Sequence, residues 1–416
     1  MDAQSVYTSL VRGIEEFNFD HTHIPSRLLL SCEGAVPVAV SPSGHVLIAA
    51  AQYGKGRVVV MSHEAYIKYE LALFGPFVQN AIDWLKPHPD ASVGVYELSN
   101  LRKFLVERGM KAKDVPSYDS TVEVLCCSAK KITQAEEVLQ FVKGGGGLLI
   151  AGQAWHWSYS NSNLLSYPGN KVIRTTGIVF SSEIADRGVY KVPKKIPSSL
   201  ITDVPVRSRM DAQSVYTSLV RGIEEFNFNY DHEPSRLLLT CEEAVPVAVS
   251  PSGHVLIAAV QYGKGRVIAM GHASYIQYEL DDFERFVQNA IDWLKPHPDA
   301  SVGVYKLSNL AKFLVERGIK AFDVPHYDRA VEVFCCNVHK ITQAEEVLQF
   351  VKGGGGLLIA GHAWHWSSKN PKKESFLSYP GNKVIRATGI VFSSETAERG
   401  VHKVPKEIPS TSGFQP

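Results

Sequence analysis

The chain consists of two copies of one segment of about 200 residues. The opening decapeptide Met1–Leu10 returns unchanged at Met210–Leu219, and the copies stay in register as far as Ser158 and Ser367. Roughly 80% of these aligned positions are identical, after which the second copy inserts three residues around Asn370–Glu374. A solenoid has more than two repeats, and each of its repeats is far shorter than these units. The duplication therefore predicts two globular modules in tandem that fold alike.

The expected domain boundaries follow from the repeat. We expect the first module at residues 1–197, a linker at 198–209 and the second module, a copy of the first, at 210–416. The joint contains Pro and Ser and shows no helical pattern, as linkers between domains do. Structural differences between the modules are expected at the three-residue insertion.

Composition excludes several classes of protein. The 416 residues are 45% apolar and 20% charged, as in ordinary globular domains. With 43 basic and 42 acidic residues, the chain lacks the basic footprint of a nucleic-acid-binding protein. No apolar signal segment follows Met1, and no stretch approaches the roughly 20 apolar residues of a membrane helix. We expect a cytosolic chain that does not insert into the membrane.

The six cysteines are three positions, each used twice. Adjacent Cys126 and Cys127 point to opposite faces of a predicted strand and are poorly placed to bridge each other. No CxxC spacing is present, so the usual pattern of a structural zinc site is missing. We expect reduced, mostly buried thiols in a reducing compartment, and no metal or other cofactor.

Hydrophobic patterning predicts the fold class. Short apolar runs bounded by turn residues, such as the turn Tyr53–Gly56, indicate strands buried on both faces. Helical patterns lie between them, including Ala3–Phe17 and a helix opened by the capping box Thr133–Glu136. This alternation predicts α/β modules, each with three layers and a mostly parallel sheet. Further on we predict a type II turn at Tyr167–Asn170 and a short strand near Lys171–Arg174.

The most informative motif is the glycine-rich segment Gly144–Trp157, repeated as Gly353–Trp366. It places Gln153 and His362 at the carboxyl end of a buried strand, where open α/β sheets bind ligands and where a nucleophile elbow would lie. Glutamine is no nucleophile, and no Ser or Cys stands within one residue of either position. Three interpretations stay open: a strand-end turn packed by tryptophan, a non-catalytic binding surface, and a catalytic site.

We predict binding residues in this segment and no catalytic residue. If extended, the Ala-Trp-His-Trp run places both tryptophans on one side and the histidine opposite. Paired aromatic anchors are typical of interface hot spots. The candidate binding residues are Gln153, Trp155, His156, Trp157, His362, Trp364, His365 and Trp366. His63 and His272 also follow strands, and we interpret them as hydrogen-bonded strand-end residues.

Several motifs together resemble a known family. They are Tyr53–Arg57 (YGKGR), Asn80–Leu85 (NAIDWL), Gly145–Trp157 and Pro168–Asn170, with their second-copy equivalents. Their order resembles the N-terminal tandem modules of the TRP-channel-associated factors. The resemblance implies a non-enzymatic cytosolic regulator, peripheral at the plasma membrane, that binds a melastatin-type TRP cation channel and modulates its trafficking or gating. More distantly, the two strand motifs resemble class I glutamine-amidotransferase-like folds.

Two departures from these families affect what is expected. In amidotransferase-like folds the glycine-rich strand precedes the YGKGR strand, whereas here it follows, so a sheet completed across the two copies is conceivable. Members of the channel-associated family continue into a C-terminal peptidase-like domain, and this sequence shows no counterpart. Functions of that domain are not expected here. The alternatives are an amidotransferase-like hydrolase acting on a small molecule, and an adaptor that bridges partners.

Overall fold

The computed structural model describes residues 2–411 except 21, 33, 162–163, 197–210 and 372. The chain divides into two compact units, Met1–Asp203 and Val204–Pro416, called module one and module two below. The predicted linker at 198–209 lies outside the described residues.

Module one alternates strands and helices along the chain. Its α-helices are α1 (Ala3–Leu10), α2 (Ala65–Lys68), α3 (Leu71–Leu85), α4 (Ser99–Glu107), α5 (Ala135–Gly144), α6 (Ala154–Ser158) and α7 (Pro168–Ile173). Its strands are β1 (Glu16–Asn18), β2 (Ser26–Leu30), β3 (Ala35–Val40), β4 (Val46–Tyr53), β5 (Gly56–Met61), β6 (Val93–Tyr96), β7 (Ala112–Val115), β8 (Val124–Ser128), β9 (Gly147–Ala151), β10 (Ile178–Ile184) and β11 (Val189–Lys191).

A nine-stranded sheet forms the centre of module one. Its order is β10-β2-β4-β5-β9-β8-β6-β7, with β3 paired to β4. Strands β5, β9, β8, β6 and β7 are mutually parallel, whereas β4 and β10 run antiparallel to their neighbours. Seven of the nine strands therefore point the same way, as expected for a mostly parallel α/β sheet.

Helices cover both faces of this sheet, which gives the predicted three layers. Helices α1 to α4 pack on one face and α5 to α7 on the other. Successive strand residues point to opposite faces. In β5, for example, Val59 and Met61 join the core beneath α1 to α4, while Val58 and Val60 are buried outside that core. The continuous apolar runs of the sequence follow from this two-sided burial.

The glycines of the YGKGR motif serve a tight turn and a close approach. Tyr53 pairs with Gly56 across a two-residue hairpin loop, and Gly54 adopts φ +57° there, as primed hairpin turns require. A Cβ atom added to Gly56 would lie 2.0 Å from the carbonyl oxygen of Val142 in α5. Helix α5 can pack this closely only because residue 56 lacks a side chain.

Module two repeats the arrangement. Its α-helices are α8 (Ala212–Leu219), α9 (Leu280–Leu294), α10 (Ser308–Glu316), α11 (Ala344–Gly353), α12 (Ala363–Lys369), α13 (Ser375–Ser378) and α14 (Pro380–Ile385). Its strands are β12 (Glu225–Asn227), β13 (Ser235–Leu239), β14 (Val245–Val249), β15 (Val255–Tyr262), β16 (Gly265–Met270), β17 (Val302–Tyr305), β18 (Ala321–Asp323), β19 (Val333–Asn337), β20 (Gly356–Ala360), β21 (Ile390–Thr396) and β22 (Val401–Lys403). No helix among the residues described in either module combines the length and apolar character needed to cross a membrane.

The two modules fold alike, which confirms the prediction from the repeat. The sheet of module two has the order β18-β17-β19-β20-β16-β15-β13-β21, the same as that of module one read from the other edge. Differences occur near the insertion, where α12 is longer than its counterpart α6. There α13 also replaces a 3-10 turn at Leu164–Ser166.

The glycine-rich strand pairs with the YGKGR strand of its own copy. Strand β9 lies parallel to β5, and β20 lies parallel to β16. Every described strand pair joins strands of a single module. The described residues therefore do not form a sheet that is completed across the two copies.

Four local predictions were wrong. The first helix ends at Leu10, well before Phe17, because the chain turns with Gly13 at φ +74° and then enters β1. The predicted capping box of α5 is not formed, since its N-cap Gln134 makes no side-chain cap bond. In place of the turn and the short strand predicted after residue 166, Pro168 opens helix α7 at a position where proline is favoured.

Candidate functional site

The candidate site lies where strands β5, β8 and β9 end, at the carboxyl edge of the parallel part of the sheet. Gln153 follows β9 as the N-cap residue of α6. His63 follows β5 by two residues, and Lys130 follows β8 by two residues. Module two has histidine at all three corresponding positions, namely His272, His339 and His362. The equivalent strand ends thus carry different chemistry in the two copies.

The first tryptophan of each motif fastens the short helix to the loop before a strand. The indole Nε1 of Trp155 donates to the Ile24 carbonyl at 2.8 Å, and its backbone N–H donates to Ser26 Oγ at 3.2 Å. In module two, Trp364 donates in the same way to the Glu233 carbonyl at 2.7 Å. These two side chains have a structural role besides any contact with a partner.

The second tryptophan packs on a buried tyrosine. The rings of Trp157 and Tyr167 are 5.7 Å apart edge to face, and those of Trp366 and Tyr379 are 5.9 Å apart. The expectation that both tryptophans of a motif share one side was wrong. The segment is helical, so positions two apart are rotated by about 200°. All four tryptophans are partly buried.

The rim of module one combines a carboxylate with a neutral imidazole. Gln153 Nε2 donates to Glu64 Oε1 at 3.3 Å, and Glu64 Oε2 lies 3.7 Å from His63 Nδ1. That Nδ1 accepts the Ala65 N–H at 3.0 Å, as expected of a strand-end histidine. Burial, assisted by repulsion from His23, lowers the pKa of His63 to about 4. These groups suit hydrogen bonding to a ligand.

The rim of module two brings five histidines together. We call them the histidine cluster: His232, His272, His339, His362 and His365. His362 lies at its centre, with its ring centre 4.3 Å from that of His272, 4.2 Å from that of His339 and 5.4 Å from that of His365. His232 stacks on the far side of His272 at 5.2 Å.

Three rings of the histidine cluster, those of His272, His339 and His362, are held in their neutral form. Burial and the neighbouring imidazoles lower the pKa of His272 to about 3 and that of His362 to about 3. Burial, His365 and Lys369 also lower the pKa of His339. At neutral pH these rings are uncharged and offer lone pairs.

The sequence prediction omits Glu64, Lys130 and His339. The signal that identifies them is the difference between the two copies. Glu64 is replaced by Ala273, and Lys130 by His339. Comparing the copies position by position locates the rim, because many differences fall just after these strands.

The structure also shows exposed tyrosines near this edge that the sequence prediction lacks. Tyr159, in the turn after α6, is 75% exposed, with its ring 5.6 Å from that of Trp155. Tyr69 is 61% exposed and stacks on His23 at 6.4 Å. Its counterpart Tyr278 is 67% exposed. Exposed aromatic rings of this size are common anchors for protein partners.

The cysteines nearest this edge are unsuited to nucleophilic attack. Cys126 and Cys127 on β8 are fully buried on opposite faces of the sheet, as predicted. Burial raises the pKa of both thiols, so the reactive thiolate form is suppressed. Cys335 and Cys336 on β19 are in the same state.

Comparison with known proteins places this arrangement in a family. A family model described as the TRPM8 N-terminal domain (TCAF_N) matches residues 1–164 and 160–407. The chain belongs to the TRPM8 channel-associated factor family. TRPM8 channel-associated factor 2 of Homo sapiens is 36% identical over 408 residues, which is 97% of this chain. A TRPM8 channel-associated factor homolog of Xenopus laevis is 36% identical over 95% of this chain. The predicted resemblance is thereby confirmed.

The match covers only part of these TRPM8 channel-associated factors. This chain spans 43% of the Xenopus laevis relative and 44% of the human one. Among solved structures, the IMPa metallopeptidase from Pseudomonas aeruginosa is 15% identical over 46% of this chain, with a TM-score of 0.36.

Proposed function

We propose that this chain is a non-enzymatic regulator that binds a melastatin-type TRP cation channel and modulates its trafficking to, or gating at, the plasma membrane. Membership of the TRPM8 channel-associated factor family is the observation that carries the proposal. The chain would be cytoplasmic and would reach the membrane through the channel. The bridging adaptor, in which the modules join two partners, differs from this proposal only in the partners bound.

The docking surface would be the carboxyl-edge rim of the modules. Each rim presents two partly buried tryptophans beside exposed tyrosine, Tyr69 and Tyr159 in module one and Tyr278 in module two, the composition of an interface hot spot. Gln153, His156, His362 and His365 supply hydrogen-bonding groups around these rings. A protein partner suits such a surface because hot-spot energy comes mainly from aromatic anchors.

The contacts at the strand ends support binding over hydrolysis. An amidotransferase-like hydrolase needs an activated thiol or hydroxyl with a base within reach. The elbow positions hold Gln153 and His362, and the cysteines of β8 and β19 are buried with raised pKa values. The class I glutamine-amidotransferase-like fold class itself stays a proposal, supported by the pairing of the two strand motifs.

Co-precipitation tests the docking surface. The intact chain should be captured with the channel from cells. The double variant Trp157→Ala and Trp366→Ala should lose at least ~10-fold in capture, because truncating a hot-spot aromatic costs over 1.4 kcal/mol. Tyr159→Ser adds a milder probe, since module two has Ser368 at the corresponding position.

A matched control is available on both modules. Val106 and Val315 are exposed on equivalent helices, α4 and α10, near helix ends that return to the opposite edge of the sheet. The double variant Val106→Ser and Val315→Ser should be captured like the intact chain. A folded tryptophan variant captured normally would exclude the rim as the docking surface. No capture of the intact chain would contradict channel binding itself.

A further inference from the structure

Three histidines of module two converge from two structural elements. His339 lies in the 3-10 helix Val338–Lys340 that follows β19, whereas His362 and His365 are the N-cap and third residues of α12. His339 Nε2 lies 3.1 Å from His362 Nε2 and 3.2 Å from His362 Nδ1. The helix places His362 and His365 on one face, since residues three apart are neighbours.

The separations of His362 from His339 and from His365 are near those of imidazoles that share one metal ion. Zinc binds imidazole nitrogen at 2.0–2.1 Å, so two nitrogens of a tetrahedral site lie about 3.4 Å apart and their ring centres about 5 Å apart. The ring centres of His362 and His365 are 5.4 Å apart. Those of His339 and His362 are 4.2 Å apart. The donor nitrogens of the three rings do not all lie within 4.8 Å of one another, so the side chains have to rotate to share one ion.

His272 acts as a support for this arrangement. Its Nδ1 accepts the Ser274 N–H at 3.1 Å, which leaves the ring proton on Nε2 and removes the lone pair there. The ring instead stacks on His362 at 4.3 Å with an interplanar angle of 11°. Stacking fixes the plane of His362, as residues behind a metal ligand commonly do.

The charge state of His339 and His362 suits a cation. Burial keeps the pKa of His339 and His362 below its usual range, so both rings are neutral at physiological pH. A metal ligand has to be deprotonated, so binding would displace few protons. Lys369 is a nearby positive charge, but it is exposed and its field is screened by solvent.

Module one lacks this ligand set. Its corresponding positions hold Lys130, Gln153 and His156, of which only the last is an imidazole. The same fold therefore provides an internal comparison with one histidine in place of three.

We propose that His339, His362 and His365 bind one divalent transition-metal ion of the zinc class, with solvent completing the coordination. Imidazole donors favour Zn²⁺, Cu²⁺ and Ni²⁺ over Ca²⁺ and Mg²⁺. The site shares His362 and His365 with the docking surface proposed above, but its zinc affinity is measured without the channel, so the two proposals are tested separately.

Zinc titration of the full chain tests this site. Competition of the apo chain with a chromophoric zinc indicator at pH 7.5 should show one tight Zn²⁺ per chain. The variant His339→Lys with His362→Gln carries the residues of module one and is expected to fold. It should lose at least ~100-fold in zinc affinity, because it removes two ligands. Mutation of a residue that only supports a metal ligand already lowers metal affinity by roughly 10–100-fold. Co²⁺ should give the intense visible bands of a tetrahedral site in the intact chain only.

The reverse exchange provides an independent test. Lys130→His with Gln153→His brings the histidines to module one and should raise the stoichiometry from one Zn²⁺ to two. Ca²⁺ should not compete in either chain. An intact chain without tight zinc binding, or a double variant of module two that binds zinc as the intact chain does, would overturn the proposal. In that case His339 and His362 form only a hydrogen-bonded pair.

Discussion

At the scale of residues, a few substitutions give two equivalent rims different chemistry. Gln153 donates to a carboxylate in module one, whereas His362 is surrounded by imidazoles in module two. The histidine after β5 and that after β16 keep the same contact, with Nδ1 accepting a backbone N–H two residues on. The backbone geometry is therefore shared while the ligand-facing groups diverge.

The buried His63 makes module one sensitive to acid. Its pKa is about 4 in the folded chain and about 6.5 in the unfolded chain, so the unfolded state binds the extra proton between these values. Stability is complete above pH 6.5 and falls as the pH drops toward 4. At pH 5 the loss from this residue is about 2 kcal/mol.

Hydrogen exchange measures this effect in the full chain. Between pH 7.5 and 5, the free energy of opening for peptides from β5 and β9 should fall by about 2 kcal/mol more in the wild type than in His63→Gln. The wild type and the variant share the groups that face the ring, namely His23, Glu64, Tyr66 and Gln153. Equal losses in both chains would show that His63 titrates normally when folded.

At the scale of elements, the sequence predicts the buried strands well and the short edge pieces poorly. A continuous apolar run such as Gly147–Ala151 has one stable placement, inside a sheet covered on both faces. Strands β1 and β11 have three residues each and pair across more than 160 positions. No local pattern encodes that pairing, because its stability comes from tertiary contacts.

The site could be predicted in position but not in orientation. The glycine-rich strand and its exit locate Gln153 and His362 at the carboxyl edge, and the structure places them there. The helical state of the WHW segment depends on anchoring by Trp155 to Ile24 and Ser26, which are distant in sequence. The meeting of His339 with His362 likewise depends on the adjacency of β19 and β20.

Two glycines near α5 should respond to alanine in opposite ways. A Cβ on Gly56 would lie 2.0 Å from the Val142 carbonyl oxygen and 2.3 Å from that of Gly146, both rigid backbone atoms. Gly56→Ala should therefore cost about 3 kcal/mol or more. Gly144 ends α5 with no atom within 4 Å of its added Cβ, so Gly144→Ala should stabilise by about 0.5 kcal/mol.

Urea denaturation of the full chain distinguishes the two glycine variants. Module two has the same pair of glycines, Gly265 and Gly353. A Cβ added to Gly265 would lie 2.1 Å from its nearest atom, whereas a Cβ added to Gly353 would have no atom within 4 Å. Equal losses of unfolding free energy in the two modules would show that the loss comes from close packing of the hairpin turn against the helix. A tolerated Gly56→Ala variant would contradict the close approach of β5 and α5.

At the scale of the whole molecule, duplication has kept one fold and varied its carboxyl-edge rim. Both sheets have the same strand order, and both cores contain the same types of buried side chain. The inserted residues and the change from Lys130 to His339 lie outside those cores, whereas Ala273, which replaces Glu64, joins the core of module two. A binding protein gains a second, different surface in this way without changing its stable framework.

If the proposed non-enzymatic function is right, the cysteines on the central strands should be unreactive. Four cysteines, Cys126, Cys127, Cys335 and Cys336, lie buried on equivalent strands with raised pKa values. In the native chain an alkylating reagent should modify these four at least ~100-fold more slowly than in urea, because reaction requires opening of the sheet. Partly exposed Cys32 is an internal reference. Peptide mass spectrometry measures the extent of alkylation at each cysteine. Rapid native labelling by a thiol-directed activity probe that disappears in Cys127→Ser or Cys336→Ser would instead show an activated nucleophile, and would favour the amidotransferase-like hydrolase over the channel regulator.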